Sequence, residues 1–200
     1  SMPGRPGQLA RIQAISSSNE LDQRFEGLFR DLRRPVLDYL FRLLGDAEQA
    51  EDALQESFVK VYRALPNLPG DANARAWVYR IATNTAYDLL RRRRLIRWLP
   101  LLRARQTEAG MDEQEAGDPA APDGLAQLEQ HLDIQRALNR LPQDLRIPLL
   151  LYSYQGLNTG EIAEIMQISR SAVKMRLQRA RQLFEEHYVR ETRAPKGGQP

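Results

Sequence analysis

The spacing of apolar residues predicts helices along almost the whole chain. Between Asn19 and Arg94, apolar positions recur every three or four residues, as they do on the buried face of an amphipathic helix. A first such face comprises Leu21, Phe25, Leu28, Phe29 and Leu32. A second comprises Val36, Leu37, Leu40, Phe41 and Leu44. Pro35 lies between the two and predicts a break or kink, because proline removes a backbone hydrogen bond from a helix.

Turn-forming residues separate this stretch from two more predicted helices. Gly45 permits a turn, and Asp46 can then cap a helix that extends to about Leu65. A loop is expected at Pro66, Pro69 and Gly70. The next helix is expected from about Ala74 to Arg94, and its predicted inner face comprises Trp77, Ile81, Thr85 and Leu89.

The C-terminal part of the chain contains the most distinctive pattern. Helices resume near Leu125, and the stretch from Gly156 to Leu183 predicts two short helices joined by a tight turn. The apolar face of the first is Ile162, Ala163 and Met166, and that of the second is Val173, Leu177, Ala180 and Phe184. Ser169 can cap the second helix, because a serine oxygen accepts a free backbone N–H at a helix start.

This pattern favours a helix-turn-helix that reads DNA. The second helix is basic over its first turns and carries Arg170, Lys174, Arg176, Arg179 and Arg181. In a helix-turn-helix the first helix braces the second, which enters the major groove. The alternative interpretation is a solvated basic helix in a helical bundle. No alternating strand pattern stands out, so the predicted fold class is all-α.

Charge and composition narrow the range of functions. Hydrophobic residues make up 42% of the chain, which is enough to form cores, and the net charge of +3 is unevenly distributed. Basic clusters at residues 91–94 and 170–181 flank a segment, 106–135, that holds acids but no Lys or Arg. Two basic surfaces indicate a polyanionic partner that is contacted at two places.

Several classes of chemistry are disfavoured by what the sequence lacks. The chain has no cysteine, which excludes disulfides, thiolate catalysis and cysteine-ligated zinc. Its histidines are His131 and His187 alone, which disfavours a histidine metal site. We therefore expect no catalytic residue, no metal, no cofactor and no small-molecule substrate. No apolar run approaches the roughly 20 residues of a membrane span, so we expect a cytoplasmic protein without membrane insertion.

Three segments are expected to be disordered or flexible. Residues 1–18 are rich in Gly, Pro and Ser, and Ser1 before Met2 resembles a cloning scar. Residues 96–124 include an acidic stretch rich in Ala, Gly and Pro, which predicts a flexible linker. Residues 191–200 form a polar tail. The chain thus divides into two helical domains, at 19–95 and 125–190, joined by a flexible linker.

Two rows of polar residues lie on the predicted helices of the first domain. The first row lies on the helix after Gly45, where Asp52 and Glu56 are one turn apart. These two acids, Gln55 and Lys60 cannot all face the core. Taken alone, this row is typical of a solvated face. It is a poor pair of catalytic carboxylates, because nothing nearby in the sequence offers a pocket or a nucleophile.

The second row comprises Arg80, Asn84, Tyr87 and Arg91, which fall in line at spacings of four, three and four. Cations, an amide and an aromatic ring together suit single-stranded or melted DNA. Arginines neutralise phosphates, rings stack on bases, and an amide bonds to a base edge. The structural alternative is that Arg80 and Tyr87 pack at the rim of the core.

Together these elements resemble a bacterial sigma factor of the sigma-70 family, in its extracytoplasmic-function (ECF) subfamily. The resemblance covers about Phe25–Arg94 and Leu132–Phe184. The first block, similar to sigma region 2, contains Y-L-F-R-L-L-G-D, E-D-A-L-Q-E-S-F and W-V-Y-R-I-A-T-N-T-A. The second, similar to region 4, contains L-N-R-L-P-Q-D-L-R and V-K-M-R-L-Q-R-A-R. Both blocks stand in the order of the family, separated by a variable linker.

The resemblance implies roles for both rows and for the basic helix. The residues that would bind core RNA polymerase are Asp52, Gln55, Glu56, Phe58 and Lys60. Those that would bind melted −10 DNA are Arg80, Asn84, Tyr87 and Arg91, beside a loop at 65–73 that would hold a flipped base. Those that would read the −35 element are Arg170, Ser171, Lys174, Met175, Gln178 and Arg179. The segment 95–124 would thread through polymerase channels.

The resemblance also implies the partners. They are core RNA polymerase, promoter DNA and an anti-sigma factor that holds the protein inactive. Met175, Gln167 and Ala74 depart from the residues most frequent in the family, which are serine, glycine and an aromatic residue respectively. The alternative function is a helix-turn-helix regulator that binds duplex operator DNA without polymerase. That alternative leaves the two polar rows of the first domain unexplained.

Overall fold

The computed structural model describes the backbone of residues 6–98 and 122–193, and the side chains of 19–92 and 127–193. Within those ranges the chain is all-α, as predicted, and has no strand. The helices are α1 (Pro6–Leu44), α2 (Ala47–Ala64), α3 (Ala74–Trp98), α4 (Pro122–Arg140), α5 (Gln143–Ser153), α6 (Thr159–Met166) and α7 (Arg170–Arg193). A short 3₁₀ turn, Leu65–Asn67, follows α2.

The break predicted at Pro35 is wrong, because α1 continues through this residue to Leu44. On either side of the proline, Leu32, Val36, Tyr39, Leu40 and Leu43 are buried at helical spacing. They pack α1 against α2 and α3. This burial of one continuous face outweighs the single backbone hydrogen bond that the proline removes.

Helical backbone also extends into the segment 1–18, which the composition predicts to be disordered. α1 begins at Pro6, where a proline suits the first turn of a helix, and no Gly or Pro interrupts residues 8–26. The predicted linker, 96–124, has its first three residues in α3 and its last three in α4, and the rest lies outside the described residues. Of the predicted tail, residues 191–193 belong to α7.

The inner face of α3 differs from the predicted one. Thr85 is buried, but Trp77, Ile81 and Leu89 are only partly so. The inner face instead includes Val78, Tyr79, Ala82, Thr83 and Ala86, which are buried like Thr85. The alanines allow the helices to approach closely, and the partly buried side chains pack at the edge of the core.

Side-chain caps fix where the helices begin. Asp46 Oδ1 accepts from the backbone N–H of Gln49 at 2.9 Å at the start of α2, and Ser169 Oγ accepts from that of Ala172 at 3.1 Å at the start of α7. Both caps were predicted. At the start of α6, Asn158 accepts from two backbone N–H groups, and Glu161 Oε2 accepts in return from the Asn158 N–H at 2.8 Å. This reciprocal pair is a capping box.

The helix-turn-helix turns at Gln167, which adopts the left-handed conformation with φ 54° and ψ 45°. Glycine adopts this conformation without steric cost, whereas another residue there costs roughly 1–2 kcal/mol. The turn is held nevertheless, because Ile162, Ile165 and Val173 on either side of it are buried. Glutamine at position 167, where the family most often has glycine, therefore carries a conformational cost.

The two halves of the chain, α1–α3 and α4–α7, pack against each other and share one hydrophobic core. α5 lies against α1, and α6 against α3.

The buried guanidinium of Arg146 on α5 donates to the Leu43 carbonyl at 2.9 Å, and to the carbonyls of Asn139 and Leu141. Burial lowers the pKa of Arg146 to about 10, so the group is still charged at neutral pH. It places a cation at the C-terminal ends of α1 and α4, where helix dipoles favour one.

We predict that Gln167→Gly stabilises the protein. Relief of the left-handed strain outweighs the extra entropy of glycine in the unfolded chain, so the free energy of unfolding should rise by about 0.5–1 kcal/mol. Urea unfolding followed by circular dichroism measures the change. The matched control is Gln182→Gly, at an exposed position within α7, which should destabilise by about 1 kcal/mol. A loss of stability from Gln167→Gly would contradict the assigned strain.

Candidate nucleic-acid interface

The basic helix α7 presents one continuous exposed face. The side chains predicted to read duplex DNA are all exposed, namely Arg170, Ser171, Lys174, Met175, Gln178 and Arg179. Opposite them, Val173, Leu177 and Ala180 are buried against the other helices of the C-terminal half. Met175, the one large apolar side chain of the exposed face, is 71% exposed. The face therefore offers donors, cations and one apolar contact.

The predicted row on α3 is exposed at three of its four positions. Arg80, Asn84 and Arg91 are exposed, whereas Tyr87 is half-buried and packs against the core. Arg91 contacts Asp88 at 3.4 Å on the surface. Burial raises the pKa of the Tyr87 hydroxyl, and the charge of Arg176 on α7 opposes this shift. The Tyr87 end of the row thus faces the C-terminal half.

A pocket of about 260 Å³ lies at the other end of this row. The N-terminal half supplies most of its lining, which comprises Leu68, Ala72, Asn73, Ala76, Trp77 and Arg80. Glu164 and Ile165 of α6 line the remainder. The sequence analysis predicts that the loop 65–73 would hold a flipped base, and this loop does line a pocket. Helix α6 of the C-terminal half borders the same pocket.

Asn73 is a site residue that the sequence analysis missed. Its Oδ1 accepts from the backbone N–H of Ala76 at 3.0 Å, which caps α3. Its Nδ2 donates to Glu161 Oε1 on α6 at 2.7 Å. An asparagine directly before the predicted helix start at Ala74 is a recognisable cap signal. The contact with Glu161 had no such signal, because 88 residues separate the two.

The polar row on α2 lies on a separate surface. Asp52 and Gln55 are exposed. Glu56 and Lys60 are partly exposed and form an ion pair at 2.8 Å, and Lys60 also donates to Thr85 Oγ1 at 3.0 Å. Four of the five predicted polymerase-binding residues therefore reach the surface.

Phe58, the fifth, does not lie on that surface. It is 4% exposed, and its ring packs edge-on against Phe29 and Phe25, with centroids 4.9 and 6.2 Å apart. The nearby Tyr62 and Val59 are exposed instead. The helical register explains this, since Phe58 follows Leu54 by one turn on the inner side of α2. Phe58 supports the surface from beneath.

Along the part of the chain that the structure describes, no helix combines the length and apolar character needed to cross a membrane. Within residues 6–98 and 122–193, no three acidic or histidine side chains come together in a way that could hold a metal ion.

Comparison with known proteins gives two family matches. A model of sigma-70 region 2 matches residues 28–96, and a model of sigma-70 region 4 matches residues 131–184. The RNA polymerase sigma-H factor of Pseudomonas aeruginosa is 32% identical over 176 residues, which cover 87% of this chain and 91% of that protein. The ECF RNA polymerase sigma factor SigW of Bacillus subtilis is 32% identical over 177 residues, covering 88% of this chain and 94% of that one.

Solved structures share the fold. The sigma factor RpoE in complex with the anti-sigma factor NepR, from Bartonella quintana, superposes with a TM-score of 0.64 at 20% identity, over 84% of this chain and 98% of that chain. CnrH in complex with the cytosolic domain of CnrY gives a TM-score of 0.63 at 22% identity, over 92% of this chain and 98% of that chain.

We predict that Phe58→Ala acts on stability. Removing a buried aromatic ring should lower the free energy of unfolding by about 3–5 kcal/mol. The exposed Asp52, changed to Ala, should alter the same quantity by no more than about 0.5 kcal/mol. Urea unfolding of both variants measures the change in the free energy of unfolding. Unchanged stability of Phe58→Ala, with weakened binding to core polymerase, would restore Phe58 as a direct contact.

Proposed function

The chain belongs to the sigma-70 family of RNA polymerase sigma factors, in its ECF subfamily, and we propose that three separate surfaces carry out its function. As a sigma factor it binds core RNA polymerase and directs it to promoter DNA. This assignment rests on one observation, that the chain exposes two faces of different composition. The face on α7 is basic, and the face on α3 combines arginines, an amide and an aromatic ring. Duplex and melted DNA need different contacts, and the two faces differ accordingly.

The α7 face is proposed to read the −35 element. Arg170 and Ser171 stand at the capped N-terminus of the helix, where backbone N–H groups favour phosphate. Lys174, Gln178 and Arg179 follow on the same exposed side, with donors for base edges in the major groove. The exposed thioether of Met175 suits an apolar contact such as the methyl group of thymine.

The α3 face is proposed to hold the melted −10 element. Arg80 and Arg91 would neutralise phosphates, and Asn84 between them would pair with the edge of an extruded base. Tyr87 is half-buried and packs against the core, so it would stack only a base that approaches from the solvent side. The pocket beside Arg80 has the size and apolar wall that a flipped base requires.

The polar face of α2 is proposed to bind core polymerase through Asp52, Gln55, Glu56 and Lys60. Its acids are exposed or partly exposed and none of them is buried, so a basic partner can reach them. Tyr62 and Val59 add exposed apolar area next to this face. An apolar patch beside charges is the usual composition of a protein interface.

The remaining features of the proposal concern organisation and regulation. Region 2 would occupy residues 19–95 and region 4 residues 125–190, with a flexible linker at 96–124. The sigma-70 family is not a class of enzymes, and we propose that this chain has no catalytic activity of its own. One structural neighbour was solved with an anti-sigma factor, which supports control of this chain by such a partner, and we propose that the chain acts in the cytoplasm. A duplex-operator regulator remains the less favoured function, since it gives the α2 and α3 faces no role.

A binding measurement with purified core polymerase tests the assignment of α2. The double variant Asp52→Arg, Glu56→Arg reverses the charge of the proposed contact. We expect it to lose at least about tenfold in affinity for core polymerase, because like charges then meet at the interface. The matched control is Glu185→Arg, Glu186→Arg, at two exposed positions on α7. Equal affinity of the α2 variant and the wild type for core polymerase would overturn the assignment.

Arg179→Ala tests the assignment of α7. Loss of a bidentate contact with a guanine edge should cost about 1–3 kcal/mol of discrimination at one −35 position. Holoenzyme binding to a promoter mapped from its own transcripts is compared with binding to that promoter carrying an altered −35 element. Arg181→Ala is the matched control, because the Arg181 guanidinium lies over the Tyr152 ring, 5.3 Å from its centroid. If Arg179→Ala weakens binding equally for all sequences, the residue contacts phosphate only.

A further inference from the structure

Asn84, the residue of α3 proposed to pair with a base, stands between two buried threonines. Thr83 and Thr85 are 1% and 0% exposed, whereas Asn84 is exposed. Consecutive residues of an α-helix point about 100° apart, so the two threonines face different sides of the core and the asparagine faces outward between them. Any contact that fixes the threonines therefore also fixes the backbone that carries the asparagine.

Thr83 joins this part of α3 to α1. Its hydroxyl donates to the Tyr79 carbonyl at 2.7 Å, one turn earlier in the same helix. A threonine hydroxyl carries one proton, so the 2.9 Å hydrogen bond between Thr83 Oγ1 and the Tyr39 hydroxyl is donated by the tyrosine. Tyr39 belongs to α1 and is fully buried. The Thr83 hydroxyl thus bonds to its own helix and to a neighbouring one.

Thr85 joins the same part of α3 to α2. Its hydroxyl donates to the Ile81 carbonyl at 2.9 Å and accepts from Lys60 Nζ at 3.0 Å. Lys60 lies on α2, where Glu56 Oε1 is 2.8 Å from the same Nζ and holds the ammonium group in place. A hydrogen bond with a charged donor is stronger than one between neutral groups. The two threonines are therefore held from two different helices.

Apolar packing contributes little to fixing α3 around Asn84. The other buried residues between positions 82 and 86 are Ala82 and Ala86. Packed helices interlock when the side chains of one enter the grooves of the other, and an alanine methyl group forms only a low ridge. The two hydrogen bonds therefore act where side-chain interlocking is weakest. Because the amide group of asparagine is bonded directly to Cβ, a small rotation of α3 would redirect it.

We propose that Thr83 and Thr85 are positioning residues for reading the −10 element, and that they act by setting the direction of the Asn84 amide. Both are buried, so they act through the backbone and not by touching DNA. Hydrogen bonds to a base edge weaken steeply with misalignment, whereas phosphate contacts carry no sequence information. Loss of either tie should therefore reduce discrimination between bases more than overall affinity. This inference rests on the proposed function of α3.

Thr85→Val tests the tie to α2, because valine has the shape of threonine without its hydroxyl. The measurement is open-complex formation by the reconstituted holoenzyme on a promoter mapped from its own transcripts, with each base placed in turn at each −10 position. Asn84→Ala on the same promoters identifies the position that Asn84 reads. At that position we expect Thr85→Val to lose about threefold or more in discrimination. The other positions and the affinity for core polymerase should not change.

Further variants show whether the effect passes through Asn84. Thr85→Ser keeps the hydroxyl and should keep discrimination close to that of the wild type. In a chain that already carries Asn84→Ala, Thr85→Val should add nothing, because the amide to be positioned is gone. The tie to α1 is tested by Thr83→Val with Tyr39→Phe, which removes both hydroxyls and leaves neither partner unpaired. We expect this pair to reduce discrimination at the same position.

Ser57→Ala is the matched control. Ser57 is buried on α2, and its hydroxyl donates to the Ala53 carbonyl of the same helix at 2.5 Å. This variant removes a buried hydroxyl without breaking a tie between helices, so it should leave base discrimination unchanged. Urea unfolding of every variant separates a loss of stability from a loss of discrimination.

The possible outcomes distinguish this proposal from the proposed function. Discrimination that Asn84→Ala loses but both Thr85→Val and the Thr83 and Tyr39 pair retain would overturn the positioning role alone. An equal effect of Thr85→Val at every −10 position, or the same effect from Ser57→Ala, would also overturn it, because either result indicates a general structural change. Unchanged discrimination by Asn84→Ala at every position would overturn the proposed function of α3, and the positioning role with it.

Discussion

Gln155 is the residue on which the arrangement of the two regions depends. It lies buried between α5 and α6, and its amide group bonds to one partner from α1 and one from α3. The Tyr79 hydroxyl donates to Gln155, and burial raises the pKa of this hydroxyl to about 12. A buried amide left without partners costs about 1–3 kcal/mol, whereas one exposed to water does not. The contact therefore favours either a fully closed or a fully separated state over a loosened one.

The same constraint explains which surfaces are free. The side chains of the α7 face are exposed, whereas the pocket beside α3 is bordered by α6. Arg146 adds a second tie, from α5 to the C-terminal end of α1. The two regions also share one hydrophobic core, so separating them would expose apolar side chains as well as polar groups that water can satisfy.

The sequence predicts local features well and long-range ones poorly. The caps at Asp46 and Ser169 and the exposed face of α7 follow from helical periodicity and short-range hydrogen bonding. The continuous helix at Pro35 could not be predicted, because it depends on packing against α2 and α3. The contact between Asn73 and Glu161 could not either, since periodicity carries no information on which helices meet. Phe58 was assigned to a surface by resemblance alone, and its register on α2 places it inside.

Energy transfer between the two regions tests the central claim, that α1–α3 and α4–α7 pack against each other and that Gln155 helps to hold them together. Asn67→Cys, in the 3₁₀ turn after α2, and Glu185→Cys, on α7, provide one exposed labelling site in each region of a chain without native cysteine. The account predicts efficient transfer in the free protein and lower transfer when Gln155→Ala removes the contacts with Pro35 and Tyr79. Transfer in the free folded protein as low as in the urea-unfolded chain would contradict it.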